Sequence, residues 1–487
     1  MCHPILFNLI SLVEKGVNLK EWIGSLTTKE VTLNDGGKYP LNEIRYYYQK
    51  YILLSKNNYF ETVDTGKKIA GKLDTELLES ILANSEQLVF EVTDSCNLEC
   101  TYCCCRDFYE NYDKREAKCL SLEKAKNLLN YLYHYWQSPL NRSPIRVINI
   151  GFYGGEPLLN FNLIKQIVAY VEDLQNKTNL FSFSFGMTTN GLLLGKYMDY
   201  LVKKKFELLV SLDGNKSNNA HRLLKNGESS FDLVMENLSS LRARYPGYFE
   251  KKVEFNTVIH DKNSVPEVHS FFKKSFDKVP RISEVNTVGV KESKKEEFMT
   301  IYKDIRDSLE NCSNMTFLED ELFTFLPGPR DLTFLLFGYC NYIFQDYNEL
   351  IFPKRESVKI PSGTCRPFSR KIYITVNGKI LPCERIGCRY YLGTVDDKKV
   401  SLSLEDVAKR YNDFFDKMLP KCKTCAFSSN CSECIFTLGS FGVKGGTFKC
   451  RSFKTSDKLA KYLSKNLSYL EENPGFYSIV FKEAVIT

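Results

Sequence analysis

The stretch Glu91-Val92-Thr93-Asp94-Ser95-Cys96-Asn97-Leu98-Glu99-Cys100-Thr101-Tyr102-Cys103 decides how the rest of the chain is read. It continues an apolar run, Leu88–Val92, with the length of a buried strand. Cys96, Cys100 and Cys103 follow on what must be a loop. Three thiolates that close can converge on one metal centre, and soft sulfur ligands select zinc or iron–sulfur. A structural zinc site wants four closed ligands. Three would leave one iron of a [4Fe–4S] cluster open to an outside ligand. Cys104 or Cys105 could be a fourth ligand, but their adjacency to Cys103 makes simultaneous ligation awkward, and both are read as bystanders. Spacing alone leaves a structural metal knot and an open cluster both standing.

Outward from this loop, strand and helix patterns alternate between about Gln87 and Val290. Candidate strands are Leu88–Val92, Val147–Tyr153, Phe181–Met187, Glu207–Leu212, Val253–Ile259 and Val285–Val290. Between them, Leu122–Trp136 carries Leu122, Ala125, Leu128, Leu129, Leu132 and Trp136 on one face, and Leu163–Leu174 repeats the pattern. Helical stripes between β-rich runs argue for βα units and a parallel sheet. The expected fold is α/β, a partial (β/α)6 barrel or an open doubly wound sheet, with its site at the C-terminal ends of the strands.

The chain has 487 residues, enough for roughly two to four domains. It is 43% hydrophobic and 26% charged, which excludes a collagen-like or wholly disordered chain. Its apolar runs stop short of the roughly 18 residues that cross a bilayer. Met1–Asn8 has no small-residue cleavage site after it, so no signal peptide and a cytoplasmic location are expected. The net charge of +7 is modest, and basic residues are dispersed among acids, so nucleic-acid binding is not expected. Seventeen cysteines without a secretory signal point to metal or redox use. The expected units are an α+β module over 1–85, the core over 86–310, a connection over 311–359, a cysteine-rich domain over 360–455 and a helical tail over 456–487. The first module carries a turn signal at Asn34-Asp35-Gly36-Gly37 and a helical pattern at Leu73–Leu82. Lys291–Glu297 reads as a linker or helix start, Lys371–Val376 as a short strand before a turn at Asn377-Gly378, and Lys458–Leu470 as an amphipathic helix.

Cys-x3-Cys-x2-Cys with Tyr102 before its third cysteine resembles the signature of radical S-adenosylmethionine (SAM) enzymes. The resemblance implies that Cys96, Cys100 and Cys103 hold a [4Fe–4S] cluster whose open iron binds the amino and carboxylate groups of SAM. Reduction then yields a 5′-deoxyadenosyl radical that abstracts hydrogen. Further segments are similar to that family's in the same order. Gly154-Gly155-Glu156-Pro157, alone no more than a Gly-Gly-x-Pro turn, would bind the methionyl ammonium through Glu156 and backbone carbonyls. Its glycines allow close backbone approach, and its carboxylate matches a cation. Thr189 and Asn190 belong to a Thr-Asn-Gly segment. Ser211, in Ser211-Leu212-Asp213-Gly214, would approach the ribose or carboxylate of SAM. Arg222, after His221, would pair with that carboxylate. Asn256 and Val258 fall where the family touches the adenosyl part, and Val258 also suits a strand-edge core role.

A second cysteine set reads Cys365, Cys383, then Cys422-x2-Cys425-x5-Cys431-x2-Cys434, then Cys450. Its Cys-x2-Cys pairs are knuckle-like, yet the five-residue gap is shorter than the usual zinc-ribbon spacer. The order resembles the SPASM extension of radical SAM enzymes, which carries two auxiliary [4Fe–4S] clusters. The last gap of the quadruplet departs from that pattern, being x2 where x3 is usual. By resemblance Cys365, Cys383 and Cys434 hold the first auxiliary cluster, with Cys340, Cys388, substrate or nothing as fourth ligand. Cys422, Cys425, Cys431 and Cys450 hold the second. Glu384 stands where sulfatase-maturating relatives place a catalytic base, and a solvated loop carboxylate beside Arg385 is the plain alternative. The expected activity is maturation of a ribosomally made precursor peptide by a thioether or carbon–carbon cross-link or by epimerisation. The 1–85 module would bind the leader as an added strand, or only pack on the rest, and a flavodoxin or ferredoxin would supply electrons. The alternatives are an anaerobic sulfatase-maturating enzyme and, in another class, a non-catalytic iron–sulfur scaffold or electron carrier.

Overall fold

The start of the chain closes on a core of its own. In the computed structural model, helices α1 (Pro4–Glu14), α2 (Leu19–Ser25) and α3 (Leu41–Lys56) surround a hairpin of β1 (Glu30–Thr32) and β2 (Lys38–Pro40). Ile5, Leu9, Leu19, Ile23, Leu33 and Ile44 meet inside it. The turn signal at Asn34–Gly37 joins the two strands. Helix α4 (Thr75–Ala83), capped by Asp74 accepting from Leu77 N at 2.7 Å, belongs to a different neighbourhood. Its Leu78 and Leu82 join the main core. The structure describes residues 3–34, 36–57, 71–103, 108–110, 112–142, 146–287, 289–309, 322, 332–333, 335–336, 366–428, 431, 433–438, 450, 452–476 and 480. Cys104, Cys105, Cys312, Cys340 and Cys365 lie outside them.

Six consecutive parallel strands make up one side of the main sheet. They are β3 (Gln87–Thr93), β4 (Arg146–Gly154), β5 (Phe181–Thr189), β6 (Glu207–Ser211), β7 (Val253–Ile259) and β8 (Arg281–Glu284), adjacent in that order. Parallel neighbours need crossovers. These are α5 (Leu122–Trp136), α6 (Phe161–Gln175), α7 (Leu194–Lys203), α8 (Phe231–Arg244), α9 (Pro246–Lys252) and α10 (Val265–Phe276). Helix α5 starts where Ser121 accepts from Lys124 N at 3.2 Å, and buries Ala125, Leu128, Leu129, Leu132 and Trp136 at helical spacing. The Trp136 indole donates to Ser85 Oγ at 2.9 Å, so its full burial leaves that donor satisfied.

The sixth strand lies at Arg281–Glu284 and not at Val285–Val290. Arg281–Glu284 pairs with Asn256–Ile259 at the sheet edge, where polar side chains remain hydrated. The valines that imitate a strand serve a second, small core. Val285 packs with Tyr102, Phe108, Tyr109 and Phe298, and Val290 makes a lone bridge to Tyr109. The charged stretch that follows is a short 3-10 turn leading into α11 (Lys295–Ile301) and then α12 (Ile305–Leu309).

On the other side of β3 the sheet continues. Strand β9 (Ile372–Ile374), shorter than the run Lys371–Val376 read from sequence, pairs parallel with β3, Val89 opposite Tyr373. Strands β10 (Lys379–Leu381), β11 (Gly393–Val395) and β12 (Val400–Ser401) follow antiparallel, giving a ten-stranded sheet ordered β12-β11-β10-β9-β3-β4-β5-β6-β7-β8. Gly378 turns β9 into β10 at φ +77°, and a Cβ there would sit 2.1 Å from Val395 O. Gly378→Ala is therefore expected to destabilise the protein by about 1–3 kcal/mol or more, read as a lower urea midpoint with unchanged slope. Helices α13 (Leu404–Lys423) and α14 (Ser456–Glu472) complete the described chain, and α13 packs on α4 through Asn412, which donates to Leu73 O at 2.7 Å. Among the described residues no helix is long and apolar enough to cross a membrane.

Candidate active site

The first cysteine group occupies the loop at the C-terminal end of β3. Cys96, Cys100 and Cys103 are half-buried and unbridged, and Cys103 adds to the rise of both other thiols. Burial pushes the Cys100 thiol up to about 11 and raises Cys96. A metal centre would replace the thiol protons. Leu98 N donates to Cys96 Sγ at 3.4 Å and Arg115 Nη2 to Cys103 Sγ at 3.6 Å. Asn190 Nδ2, from the end of β5, reaches Asn97 Oδ1 at 2.7 Å and Cys96 Sγ at 3.9 Å.

Beside this loop, the end of β4 is pressed against backbone. A Cβ on Gly154 would lie 2.2 Å from Thr93 O, and one on Gly155 2.1 Å from Ser95 O. Gly155 N and Glu156 N donate to those same carbonyls at 2.9 and 2.8 Å. Glycine is thus required for β4 to lie along the chain leading into Cys96. Glu156, fully buried, accepts from Asn190 N at 2.7 Å, Thr189 Oγ1 at 2.8 Å and Leu158 N at 3.2 Å. Burial still pushes its carboxyl up to about 7, despite those bonds. A carboxylate offers about four acceptor positions, so one remains for a cation. A buried acid held this way fits an ammonium group, and the three thiols fit iron–sulfur. Pro157 starts the turn Pro157–Asn160, which buries Pro157 and Leu158 beside Glu156.

Residues 90–274 match the family model of the Radical SAM superfamily. Those residues form a radical SAM domain. The chain is 23% identical over 397 residues to the radical SAM cyclopropyl synthase TigE of Paramaledivibacter caminithermalis, covering 80% of this chain and 75% of that one. It is 26% identical over 406 residues to a cysteine-type anaerobic sulfatase-maturating enzyme of Clostridium novyi, covering 78% and 98%. It is 30% identical over 189 residues to the uncharacterized protein MJ0907 of Methanocaldococcus jannaschii, covering 39% of this chain and only 57% of that one. The cofactors are those of the family, SAM and a [4Fe–4S] cluster.

The radical SAM loop is anchored from below by a network that sequence reading did not find. Tyr102 OH donates to Asp213 Oδ2, and Arg222 Nη1 donates to Tyr102 OH at 3.0 Å. Asp213 also accepts from Val258 N at 3.1 Å and faces His260 Nε2 at 3.6 Å. Burial works to raise the Asp213 pKa, but the His260 and Tyr102 bonds and the Arg222 charge outweigh it and hold it below the ordinary value. Arg222, expected to meet the carboxylate of SAM, is buried against Tyr102 and Cys100. Val258 packs, partly buried, in the small core with Tyr102, and Ser211 ends β6 in register with Asn256. His221 joins Thr101 Oγ1 to Asp261 Oδ1 at 2.5 and 2.6 Å. With His260 these groups lie close enough to hold an ion, but existing hydrogen bonds already engage them. The sequence signal was Asp213 in Ser211–Gly214 followed by His221 and Arg222, with its partners far apart in the chain.

Among the C-terminal cysteines, Cys425 and Cys450 lie close to each other. Lys454 N donates to Cys425 Sγ at 3.5 Å and Ala426 N to Lys454 O at 3.0 Å, which brings the chain after Cys450 onto Cys422–Cys425. The Cys450 thiol is raised by burial and by the nearby Glu433 and Cys425. Cys431 is half-buried, and Cys434, also half-buried, packs on the main core. Cys383 accepts from Arg385 N at 3.3 Å. Cys388 is buried, with its thiol near Asp113 and Glu91.

Beside the radical SAM loop lies a small cleft of about 50 Å³. Asp94, Arg115, Gly154, Tyr373, Glu384 and Cys388 line it, and Glu91 also faces it. Lys371 Nζ meets both Glu384 oxygens, at 3.0 and 2.8 Å. Burial acts to raise the Glu384 pKa, but that ammonium outweighs it, so the carboxylate is held ionised. Glu91 accepts from Val376 N at 3.0 Å, and burial pushes it up to about 7.

Proposed function

We propose that this radical SAM enzyme matures a ribosomally made peptide, one of whose residues is attacked in the cleft between the two cysteine regions. The cleft's placement carries the reading. Its lining includes both Gly154, in the Gly154–Pro157 segment, and Glu384, beside Cys383. Bound at the cysteine loop, the cluster and SAM supply a primary carbon radical for hydrogen abstraction. The chain's share is to bind, orient and exclude water. Glu156 takes the ammonium, Thr189 and Asn190 brace it, and Ser211 and Val258 border the adenosyl side. Cys422, Cys425, Cys431 and Cys450 hold one auxiliary cluster; Cys365, Cys383 and Cys434 hold the other, with Cys340 or Cys388 as candidate fourth ligands. Glu384, kept ionised by Lys371, accepts the proton that the oxidised residue releases. The module built on α1–α3 has an exposed hairpin edge suited to a leader segment.

A second reading, oxidation of a cysteine or serine to formylglycine, is favoured by Glu384 beside Cys383. Glu384→Gln tests the shared chemistry. 5′-Deoxyadenosine release should continue while modified peptide falls about a hundredfold or more, measured by mass spectrometry after co-expression with candidate precursors. Unchanged product would remove Glu384 from the site. Modification of a sulfatase-type peptide in place of a precursor would select the second reading.

A further inference from the structure

Arg115 stands where the radical SAM loop meets the cleft. Its Nη2 donates to Cys103 Sγ at 3.6 Å, and its charge also bears on Cys96 and Glu91. The segment carrying it is fixed on both flanks. Glu116 N donates to Asp94 Oδ2 at 2.9 Å, and Asp113 meets Lys379 Nζ at 2.6 Å and Asn377 Nδ2 at 2.8 Å. The chain on either side of Arg115 is therefore anchored while its guanidinium meets Cys103 Sγ.

We propose that Arg115 sets the reduction potential of the cluster held by Cys96, Cys100 and Cys103, through this charged N–H···S hydrogen bond. The proposal rests on those thiols being cluster ligands. Reduction adds one electron and no proton, and the added negative charge spreads onto the ligand sulfurs. A charged donor to such a sulfur stabilises the reduced form more than the oxidised form, and so eases reduction. The guanidinium stays protonated at every working pH, so the effect does not titrate. Arg115 is a positioning residue, acting on the electron acceptor without touching the reacting carbon.

The test uses full-length protein reconstituted anaerobically and poised at one fixed potential. The reduced fraction is read by electron paramagnetic resonance, and the change of signal on adding SAM marks this cluster among the others. Arg115→Met should lower the reduced-to-oxidised ratio about tenfold, 59 mV for a one-electron couple, with iron content unchanged. Arg115→Lys should keep most of the ratio, and Arg115→Gln, a neutral donor, should fall between. An unmoved ratio in a fully loaded Arg115→Met protein overturns the proposal. If Arg115→Met fails to load iron, Arg115→Gln is read the same way. If only Arg115→Lys loads, Arg115 is a structural prop and the proposal fails. A wild-type protein without any SAM-sensitive signal would sink the ligand assignment instead.

Discussion

Cys100→Ala is expected to abolish 5′-deoxyadenosine release from SAM and to remove one cluster's iron and its SAM-sensitive resonance signal. Burial pushes the Cys100 thiol up to about 11. It sits beside the Arg222–Tyr102–Asp213 network that fixes the loop. Removing one of three sulfur anchors leaves two, and two cannot hold a four-iron cluster with a single open corner. The substitution removes one sulfur from a half-buried side chain, so the fold should lose only about 1 kcal/mol. Circular dichroism should therefore be unchanged while the chemistry is lost. SAM cleavage at the wild-type rate in Cys100→Ala would overturn the site.

Glu156→Ala carries the second large effect. It leaves Asn190 N, Leu158 N and Thr189 Oγ1 without their buried acceptor. Each orphaned donor costs about 1–3 kcal/mol, so stability should drop by several kcal/mol and SAM binding should vanish by calorimetry. Glu156→Gln separates the two losses. It keeps the shape and one acceptor oxygen, so that the orphaning of Asn190 N alone should cost about 1–3 kcal/mol, while exchanging a carboxylate for an amide at the ammonium. The expected weakening of SAM binding is about ten- to a hundredfold. A pH series adds a signed check. The Glu156 carboxyl moves from 4.5 to about 7 on folding, so between those values the native state binds the proton that the unfolded chain releases. Its stability contribution is complete below the lower value and is lost as pH rises through the upper one, roughly 3 kcal/mol in all. Glu91, also near 7, is present in both proteins, so the difference between wild type and Glu156→Gln isolates Glu156. A parallel stability–pH curve in the two proteins would count against the buried acid.

The sequence exposed the parallel sheet because β3 to β7 are apolar runs that tertiary packing does not contradict. It misread β8, because Val285 and Val290 alternate like a strand while serving the small core around Tyr102. Motif residues were legible where one segment held the whole signal, as in Gly154–Pro157 and Cys96–Cys103. They were illegible where the chemistry is assembled from distant segments. Tyr102, Asp213, Arg222 and His260 come from four places, and no spacing rule joins them. Arg222 was expected to pair with the SAM carboxylate through the resemblance of Ser211–Arg222 to the family's pattern, and its burial against Tyr102 is visible only in three dimensions. Arg115 sits in the charged run Asp113–Lys118, which reads as a solvated loop until its backbone anchors are seen. The ligand assignments for Cys340 and Cys365 fall outside the described residues.

The pairing of β9 with β3 means that the SPASM region is not an appended module. Leu88, Val89 and Phe90 share ladder positions with Ile372, Tyr373 and Ile374, so one continuous girder of backbone hydrogen bonds carries both iron–sulfur regions. Excising the second region would lay bare the apolar flank of the barrel's first strand to edge-to-edge association.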